Sequence, residues 1–205
     1  MVAAELRLRP FEEIDLDLLD RFAGDPSFSA PFEWSGYRSA ASFHQRWAED
    51  GFLDKDPHFL VVAEESALGW VMWERPYRGA GRSDVWVIGI LLAPEHRGRG
   101  VGTSAQQLLV DHLFDTTPAH RICAFTEVEN LAEQKALEKC GFRREGVLRQ
   151  SGFVRGDWRH DLRNPARRTA HAIIRVPQQR RKWDRRHASP DPETGGHIRS
   201  SYIDT

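Results

Sequence analysis

The sequence has few cysteines and no long apolar segment. Its 205 residues include two cysteines, Cys123 and Cys140, which form no CxxC pair, so no disulfide framework is expected. No apolar run approaches the roughly 18 residues that a membrane-spanning helix requires. The N-terminus lacks the basic and then apolar pattern of a secretory signal. The sequence therefore predicts a reduced, cytoplasmic protein with no membrane partner.

Strong net charge and metal-binding motifs are also missing. The formal net charge is −1, which gives no overall reason to expect a nucleic acid partner. The histidines show no metal-ligand spacing, so no metal is expected. In contrast, 40% of the residues are hydrophobic and seven are Trp. This composition is sufficient for a packed core.

The charge is distributed unevenly along the chain. Residues 163–205 contain ten Lys and Arg against four Asp and Glu, whereas the first 162 residues carry a net charge of −7. The sequence therefore predicts a domain over residues 1–162 and a basic, weakly ordered C-terminal tail over residues 163–205. The tail is either a mobile extension that binds RNA or an acidic partner, or a non-homologous end with no function of its own.

Hydrophobic periodicity predicts an α+β fold. The predicted strands span residues 6–10, 59–64, 68–74, 85–92, 121–127, 142–148 and 153–162. The predicted helices span residues 11–23, 40–50, 103–114 and 131–140. A strand–helix–strand unit lies at the centre of this order.

Three alternating glycines, Gly98, Gly100 and Gly102, lie between a predicted strand and a predicted helix. Unpaired backbone N–H groups and the helix dipole favour an anion at such a position, and glycine allows the anion to approach closely. The pattern is neither GxxxxGK[ST] nor GxGxxG. A bound pyrophosphate explains the glycines, and a tight turn that binds nothing is the alternative.

The segment 97–102 (RGRGVG) matches the R/Q-x-x-G-x-G/A motif of the GCN5-related N-acetyltransferases, the GNAT superfamily. The match continues upstream in IGILLAPEHRGRG and downstream in ENLAEQKALEKCGFRREGVLR and GDWRHDL. These blocks resemble the branch that acetylates ribosomal-protein N-termini, polyamines and antibiotics, and the resemblance covers roughly residues 5–162. It implies a mixed, centrally splayed sheet flanked by helices, followed here by the basic extension.

The resemblance implies that acetyl-CoA binds in the opening of the sheet. Backbone groups of Ile90, Leu91 and Leu92 would pair with the pantetheine arm, and the backbone near Leu91 would polarise the thioester carbonyl. Asn130 would also hydrogen-bond the pantetheine. The pyrophosphate would lie on the glycine turn, whose expected cofactor-binding residues are Arg97, Gly98, Arg99, Gly100, Val101, Gly102 and Thr103.

The catalytic residues depart from the family pattern. Many members carry a tyrosine acid where this chain has Leu137, and the ribosomal branch commonly has a serine where this chain has Glu133. We predict Glu127 and Glu129 as candidate catalytic groups, because they flank the end of a strand that should border the cleft. The alternative for both is a solvated strand end.

Aromatic residues are the candidates for the acceptor site. Phe32, Trp34 and Tyr37 lie in a loop that contains Pro and Gly, and loops of this kind often carry recognition. Trp86 is a further candidate, with core packing as its alternative. The acidic first 162 residues favour a cationic amine.

The leading functional hypothesis is an acetyl-CoA-dependent N-acetyltransferase that acts by direct attack of a primary amine of a small molecule, either a metabolite or an antibiotic. The alternatives are acetylation of a protein N-terminus and a non-catalytic acyl-CoA-binding module. A closed aromatic pocket would favour the small amine, and an open groove would favour the peptide. The chain is expected to be a monomer or a homodimer, and nucleic acid is not expected as a partner.

Overall fold

The computed structural model describes residues 5–34, 36–75, 85–154 and 156–167. The glycine-containing segment 77–83, for which the sequence predicts a turn, lies outside these residues, as does most of the predicted tail. The strands are β1 (Arg7–Arg9), β2 (His58–Ala63), β3 (Ala67–Glu74), β4 (Val85–Leu92), β5 (Arg121–Glu127), β6 (Gly146–Val154) and β7 (Asp157–Arg167). The helices are α1 (Leu16–Gly24), α2 (Pro26–Ser29), α3 (Ala40–Asp50), α4 (Val101–Thr116) and α5 (Leu131–Lys139).

The seven strands form one mixed sheet with the order β1-β2-β3-β4-β5-β7-β6. Strands β4 and β5 are parallel, and every other neighbouring pair is antiparallel. Helix α4 makes the crossover between the parallel strands, as a parallel pair requires. This is the strand–helix–strand unit that the sequence predicts.

Alternating side chains divide the core into two parts. In β2, Leu60 and Val62 belong to a hydrophobic cluster that includes residues of α4 and α5, whereas Phe59 and Val61 belong to a second cluster with residues of α1. Neighbouring residues of a strand point to opposite faces of the sheet. The sheet is therefore covered by α4 and α5 on one face and by α1 and α3 on the other.

The sheet opens between its two parallel strands. The pairing of β4 with β5 runs only from Val85 opposite Arg121 to Ile88 opposite Ala124. Beyond this point, Gly89–Leu92 stays paired with β3, and Phe125–Glu127 stays paired with β7. The strand ends thus separate into a V-shaped opening, which confirms the predicted mixed, centrally splayed fold.

Two elements differ from the sequence predictions. The short helix α2 lies in a segment for which the sequence predicts neither a helix nor a strand. Asp25 caps it by accepting a hydrogen bond from the backbone N–H of Ser27 at 2.8 Å. Strand β7 continues past Leu162 to Arg167, with Pro165 opposite Cys123. Proline lacks a backbone donor and is a weak signal for a strand, so the sequence pattern ends the strand too early.

Among the helices of the described residues, none is long and apolar enough to cross a membrane. The cytoplasmic location stays a prediction.

Candidate active site

The glycine turn lies directly before helix α4. Gly98 and Gly100 have φ values of 73° and 83°, which an L side chain adopts only with strain. Added Cβ atoms at these two positions would meet open space within 4 Å, so these glycines are required for backbone conformation and not for packing. Helix α4 begins at Val101, and the first N–H groups of a helix have no intrahelical acceptor. The turn therefore has the geometry of an anion site.

The side chain of Arg97 is turned toward the protein. Its Nε donates to the carbonyl oxygen of Leu92 at 2.9 Å, one terminal nitrogen donates to Ala30 O at 2.7 Å, and the other donates to Phe28 O. Burial lowers the pKa of this guanidinium, but arginine is so strong a base that it stays charged at any ordinary pH. Arg97 thus joins the glycine turn to α2 and to the residue that follows it. Its role in cofactor binding stays a prediction. Arg99 is exposed.

The last residues of β4 form one wall of the opening. Ile90, Leu91 and Leu92 pair with β3 on one side, and their pairing with β5 has already ended at Ile88. A strand edge without a partner carries backbone N–H and C=O groups that are available for hydrogen bonds. This edge has the chemistry that the amide groups of an extended pantetheine arm require, although its binding role also stays a prediction.

Asn130 begins helix α5 at the opposite wall. Its side-chain oxygen accepts a hydrogen bond from the backbone N–H of Glu133 at 3.2 Å, and its own N–H donates to Glu127 O at 3.0 Å. Asn130 is therefore held at the end of β5 by both its backbone and its side chain. These two hydrogen bonds fix Asn130 beside the opening. Its contact with pantetheine stays a prediction.

A cavity of about 170 Å³ lies beside the open end of β4. It is mainly aromatic and aliphatic, with Glu33 and Arg38 as its charged groups. Its lining residues are Leu19, Phe22, Glu33, Arg38, Phe43, Phe59, Trp70, Met72, Gly89, Ile90 and Leu91. Because Ile90 and Leu91 belong to both features, the cavity adjoins the edge predicted to hold the thioester.

Aromatic rings build the cavity through close contacts between three elements. The ring of Phe22 meets Trp70 edge to face, with centroids 5.3 Å apart, and it also meets Phe43 at 6.2 Å. The guanidinium of Arg38 lies 5.2 Å from the centre of the Phe22 ring. No sequence pattern indicates that these rings share a site, because α1, α3 and β3 bring them together only by tertiary packing.

The predicted acceptor residues separate into two groups. Phe32 and Trp34 are half-buried on either side of Glu33, and Trp34 meets the ring of Tyr37, which is 79% exposed, at 5.3 Å. Trp86 is buried in the core, and its indole N–H donates to Thr117 Oγ1 at 3.2 Å. It lies in the part of β4 that is paired with β5. This burial favours core packing, the alternative for Trp86, and its role in binding the acceptor stays a prediction.

Of the two predicted catalytic carboxylates, Glu127 has the better position. Its Oε1 is buried and has no hydrogen-bond partner, and burial is the main cause that raises its pKa. Glu129 is exposed, and its Oε2 accepts a hydrogen bond from Arg159 at 2.7 Å. Because the side chain of Arg159 already occupies the Glu129 carboxylate, the arrangement favours Glu127.

Glu33 is a further carboxylate of the cleft, and no sequence pattern indicates it. Water reaches its side chain, yet it lies among enough protein atoms that desolvation raises its pKa. The charge of Asp161 raises the pKa further, while Arg38 and Arg97 lower it. Glu33 in turn raises the pKa of Glu127. These charges interact across the opening, where a cation would relieve their repulsion.

Glu133 lies in the first turn of α5 and is half-buried. Its Oε1 accepts a hydrogen bond from the amide nitrogen of Gln106, a buried residue of α4, at 2.8 Å. Desolvation raises the pKa of Glu133 to about 7, with the charge of Glu33 acting in the same direction. Near neutral pH, this carboxyl group is therefore present in both its neutral and its ionised form.

Residues 5–143 match the family model of the acetyltransferase (GNAT) domain. The fold, the glycine turn and this match define the class: the chain belongs to the GNAT acetyltransferase family. It is an N-acetyltransferase of this family, with acetyl-CoA as the acyl donor. The resemblance found in the sequence is thereby confirmed.

Particular relatives agree with this assignment. The chain is 34% identical to the probable N-acetyltransferase YjcK of Bacillus subtilis over 107 residues, which span 51% of this chain and 58% of that protein. It is 24% identical to the spermidine N(1)-acetyltransferase of Escherichia coli over 166 residues, which span 78% of this chain and 85% of that protein. The structure resembles a Vibrio cholerae spermidine N-acetyltransferase in complex with CoA and spermine, with a TM-score of 0.71 and 22% identity over 82% of this chain and 98% of that one.

Proposed function

We propose that this chain transfers the acetyl group of acetyl-CoA to a primary amine of a small, cationic molecule. The cavity beside the open end of β4 carries this proposal, because it combines an aromatic wall with the carboxylate of Glu33. Aromatic faces and a carboxylate are the groups that bind an alkylammonium ion. The names of the relatives that act on spermidine support the same class of acceptor.

The size of the cavity favours a small amine over a protein N-terminus. About 170 Å³ of space accommodates a slender alkylamine chain, whereas a peptide needs an open groove on both sides of its N-terminus. The rings of Phe22, Phe43 and Trp70 form the wall. A metabolite and an antibiotic with an aliphatic amine both remain acceptors to test.

The residues that face the opening fit acetyl-CoA. The turn at Gly98–Gly102 and the N-terminus of α4 suit the pyrophosphate, and the edge of Ile90–Leu92 suits the amide groups of pantetheine. When bound, acetyl-CoA supplies an activated acyl carbon. The protein orients the amine toward that carbon and accepts a proton from the amine nitrogen.

Glu127 is our proposed catalytic base, and Glu33 is our proposed binding group for the ammonium. Both carboxylates have a raised pKa, which increases their affinity for a proton. Glu127 has a buried oxygen with no hydrogen-bond partner, so an amine N–H is an acceptable donor to it. Glu33 lines the cavity directly.

The test measures thiol release from acetyl-CoA with a panel of amines that includes spermidine, a monoamine of similar length, an aminoglycoside and an N-terminal peptide. We expect turnover with cationic alkylamines. Glu33→Gln should raise the KM for the amine about 10-fold or more and leave the affinity for acetyl-CoA unchanged. Glu127→Gln should instead lower kcat at saturating amine.

Glu138→Gln is the matched control, because Glu138 is an exposed carboxylate of α5 with no proposed role. A preference for the peptide would favour protein N-terminal acetylation. Binding of acetyl-CoA without turnover of any amine would leave the non-catalytic module as the function.

A further inference from the structure

Three residues lie along one face of helix α5 and its N-cap. Asn130, Glu133 and Leu137 are spaced by three and four residues, which places them on one face of a helix. Asn130 is fixed at the end of β5, and Leu137 is 1% exposed in the core beneath the sheet. Glu133 is therefore the polar side chain between the rim of the opening and the core.

The neighbours of Glu133 define its surroundings on each side. From α4, the neutral amide of Gln106 donates to it at 2.8 Å. From the segment after α2, the charge of Glu33 acts on it across the opening. From its own helix, the titratable neighbour is the buried thiol of Cys140, which donates to Thr103 O at 3.3 Å.

The amide of Gln106 holds Glu133 in a defined orientation. Gln106 is 1% exposed, and its Oε1 has no hydrogen-bond partner. The hydrogen bond from this amide favours the carboxylate and lowers the pKa of Glu133, but desolvation outweighs it, and no cation is among the groups that shift this pKa. Protonation removes the uncompensated charge without disturbing the hydrogen bond, so the neutral acid is well accommodated here.

We propose that Glu133 is the general acid of the acetyl transfer, donating its carboxyl proton to the departing sulfur of CoA. This inference rests on the proposed function. Glu133 stands on the α4 and α5 side of the opening, next to the predicted pantetheine contact at Asn130, whereas the amine enters from the cavity beside β4. Glu33, which lines the cavity, acts electrostatically on Glu133, so this carboxyl group borders the same opening as the predicted thioester. We assign it to the sulfur and Glu127 to the nitrogen.

The proton transfers balance over one turnover. The nitrogen of the neutral amine forms a bond to the acyl carbon, and the bond from that carbon to sulfur breaks. Glu127 accepts one proton from the nitrogen, and sulfur takes the proton of Glu133. Water then returns a proton from Glu127 to Glu133, so the products are the amide and the free CoA thiol.

The role also accounts for the absence of a tyrosine at this site. The position at which many family members carry a tyrosine acid is Leu137 here, whose side chain is buried and cannot donate a proton. Glu133 precedes it by one helical turn on the same face. A carboxylic acid that is protonated near neutral pH supplies the chemistry that the tyrosine would otherwise provide.

The deciding experiment uses Glu133→Gln, because glutamine can still accept the hydrogen bond from Gln106 but cannot act as an acid. We expect kcat to fall about 100-fold or more with the best amine of the panel, while the affinity for acetyl-CoA changes less than about 3-fold. In the wild type, kcat should decline above about pH 7, and this decline should disappear in the variant. Glu138→Gln should behave as the wild type.

An independent readout follows the proton itself. Carbon-13 NMR of carboxyl-labelled glutamate should show one resonance that titrates near pH 7 and is lost in Glu133→Gln. A kcat for the variant within about 3-fold of the wild type, or loss of acetyl-CoA affinity at unchanged kcat, would overturn the proposal. If no amine reacts, the proposed function fails. Hydrolysis of acetyl-CoA by the wild type and by Glu133→Gln then still tests Glu133, because the departing thiol needs a proton in that reaction too.

Discussion

At the scale of single residues, neighbours move the proton affinities of three glutamates in different directions. Arg21 donates hydrogen bonds to Glu95 and lowers its pKa to about 2. Burial raises the pKa of Glu133 to about 7 and also raises the pKa of Glu127. The carboxylate with a lowered pKa lies in an ion pair at the surface, and those with a raised pKa lie at the cleft. A carboxyl group with a raised pKa can transfer a proton near neutral pH. Its ionised form is less stable in the folded protein than in water, so it lowers the stability of the fold.

The raised pKa of Glu133 predicts a pH-dependent stability. A carboxyl group whose pKa is higher in the folded state contributes stability that is fully present below its unfolded value of about 4.5 and is lost as the pH rises through about 7. Glu133→Gln should therefore be more stable than the wild type at pH 8, by about 1–2 kcal/mol after allowance for the partial exposure of the side chain. Urea unfolding at pH 5 and pH 8 measures this difference. An equal difference at both values would contradict the assigned burial of the charge.

Individual site residues were predictable only where the residue type is dictated by backbone chemistry. Gly98 and Gly100 adopt positive φ, and Asn130 caps a helix, so sequence spacing alone indicates these positions. Glu33 and Phe22 reach the cavity by tertiary packing, which no local pattern encodes. From the sequence alone, Trp86 cannot be told apart from an aromatic residue that lines a cavity. The pairing of β4 with β5 at Trp86 places it in the core.

At the scale of elements, the approach of β3 to β4 controls the wall of the opening. A Cβ atom at Gly69 would lie 2.2 Å from the carbonyl oxygen of Leu91 and 2.7 Å from the Cα of Leu92. These are backbone atoms of the edge predicted to hold pantetheine, and they cannot move without displacing β4. The glycine of β3 therefore supports the cofactor edge from behind.

Gly69→Ala should destabilise the fold by about 2–3 kcal/mol, as overpacking of a tightly packed position does. In the protein that remains folded, the KM for acetyl-CoA should increase, because the edge at Leu91 and Leu92 must shift. Thermal unfolding and steady-state kinetics measure the two effects. Gly24→Ala is the control, since a Cβ atom at Gly24 meets no atom within 4 Å. A Gly69→Ala protein with unchanged stability and KM would show that β3 does not support this edge.

Elements with a clear period were predictable, and elements built from turn chemistry were not. Strands β2 to β5 alternate or form apolar runs, and their observed bounds lie within a few residues of the predicted ones. Strand β6 contains a register shift between Leu148 and Gly152, where Gln150 has a φ of 48°. Such a bulge interrupts the alternation, which explains why the sequence pattern placed this strand too early.

At the scale of the whole molecule, the open sheet should make stability depend on the cofactor. A ligand that binds only the folded state stabilises it by about 2.7 kcal/mol at 100 times its Kd. For a domain of this size, the expected increase in Tm is roughly 5–10 °C. Gly102→Asp should abolish this increase, because it adds a negative charge to the first turn of α4 where the pyrophosphate is predicted.

Scanning calorimetry with and without acetyl-CoA measures the shift. Ala41→Asp is the matched control, because Ala41 is exposed and takes the same position in the first turn of α3. The control should keep the full increase in Tm. A folded wild type whose Tm does not respond to millimolar acetyl-CoA would show that the glycine turn binds no pyrophosphate.

The opening between β4 and β5 has a consequence for the behaviour of the protein at high concentration. An exposed strand edge invites pairing with other polypeptides and so promotes aggregation. Here the unpaired edge of Gly89–Leu92 is recessed between β3 and β5 in the middle of the sheet, and not at its margin. A slender, flexible ligand can enter such a slot, whereas the strand of another protein is kept out by the flanking walls. Because this edge is internal to the sheet, its hydrogen-bonding groups are available to a cofactor but not to the pairing of marginal strands that joins the sheets of separate copies.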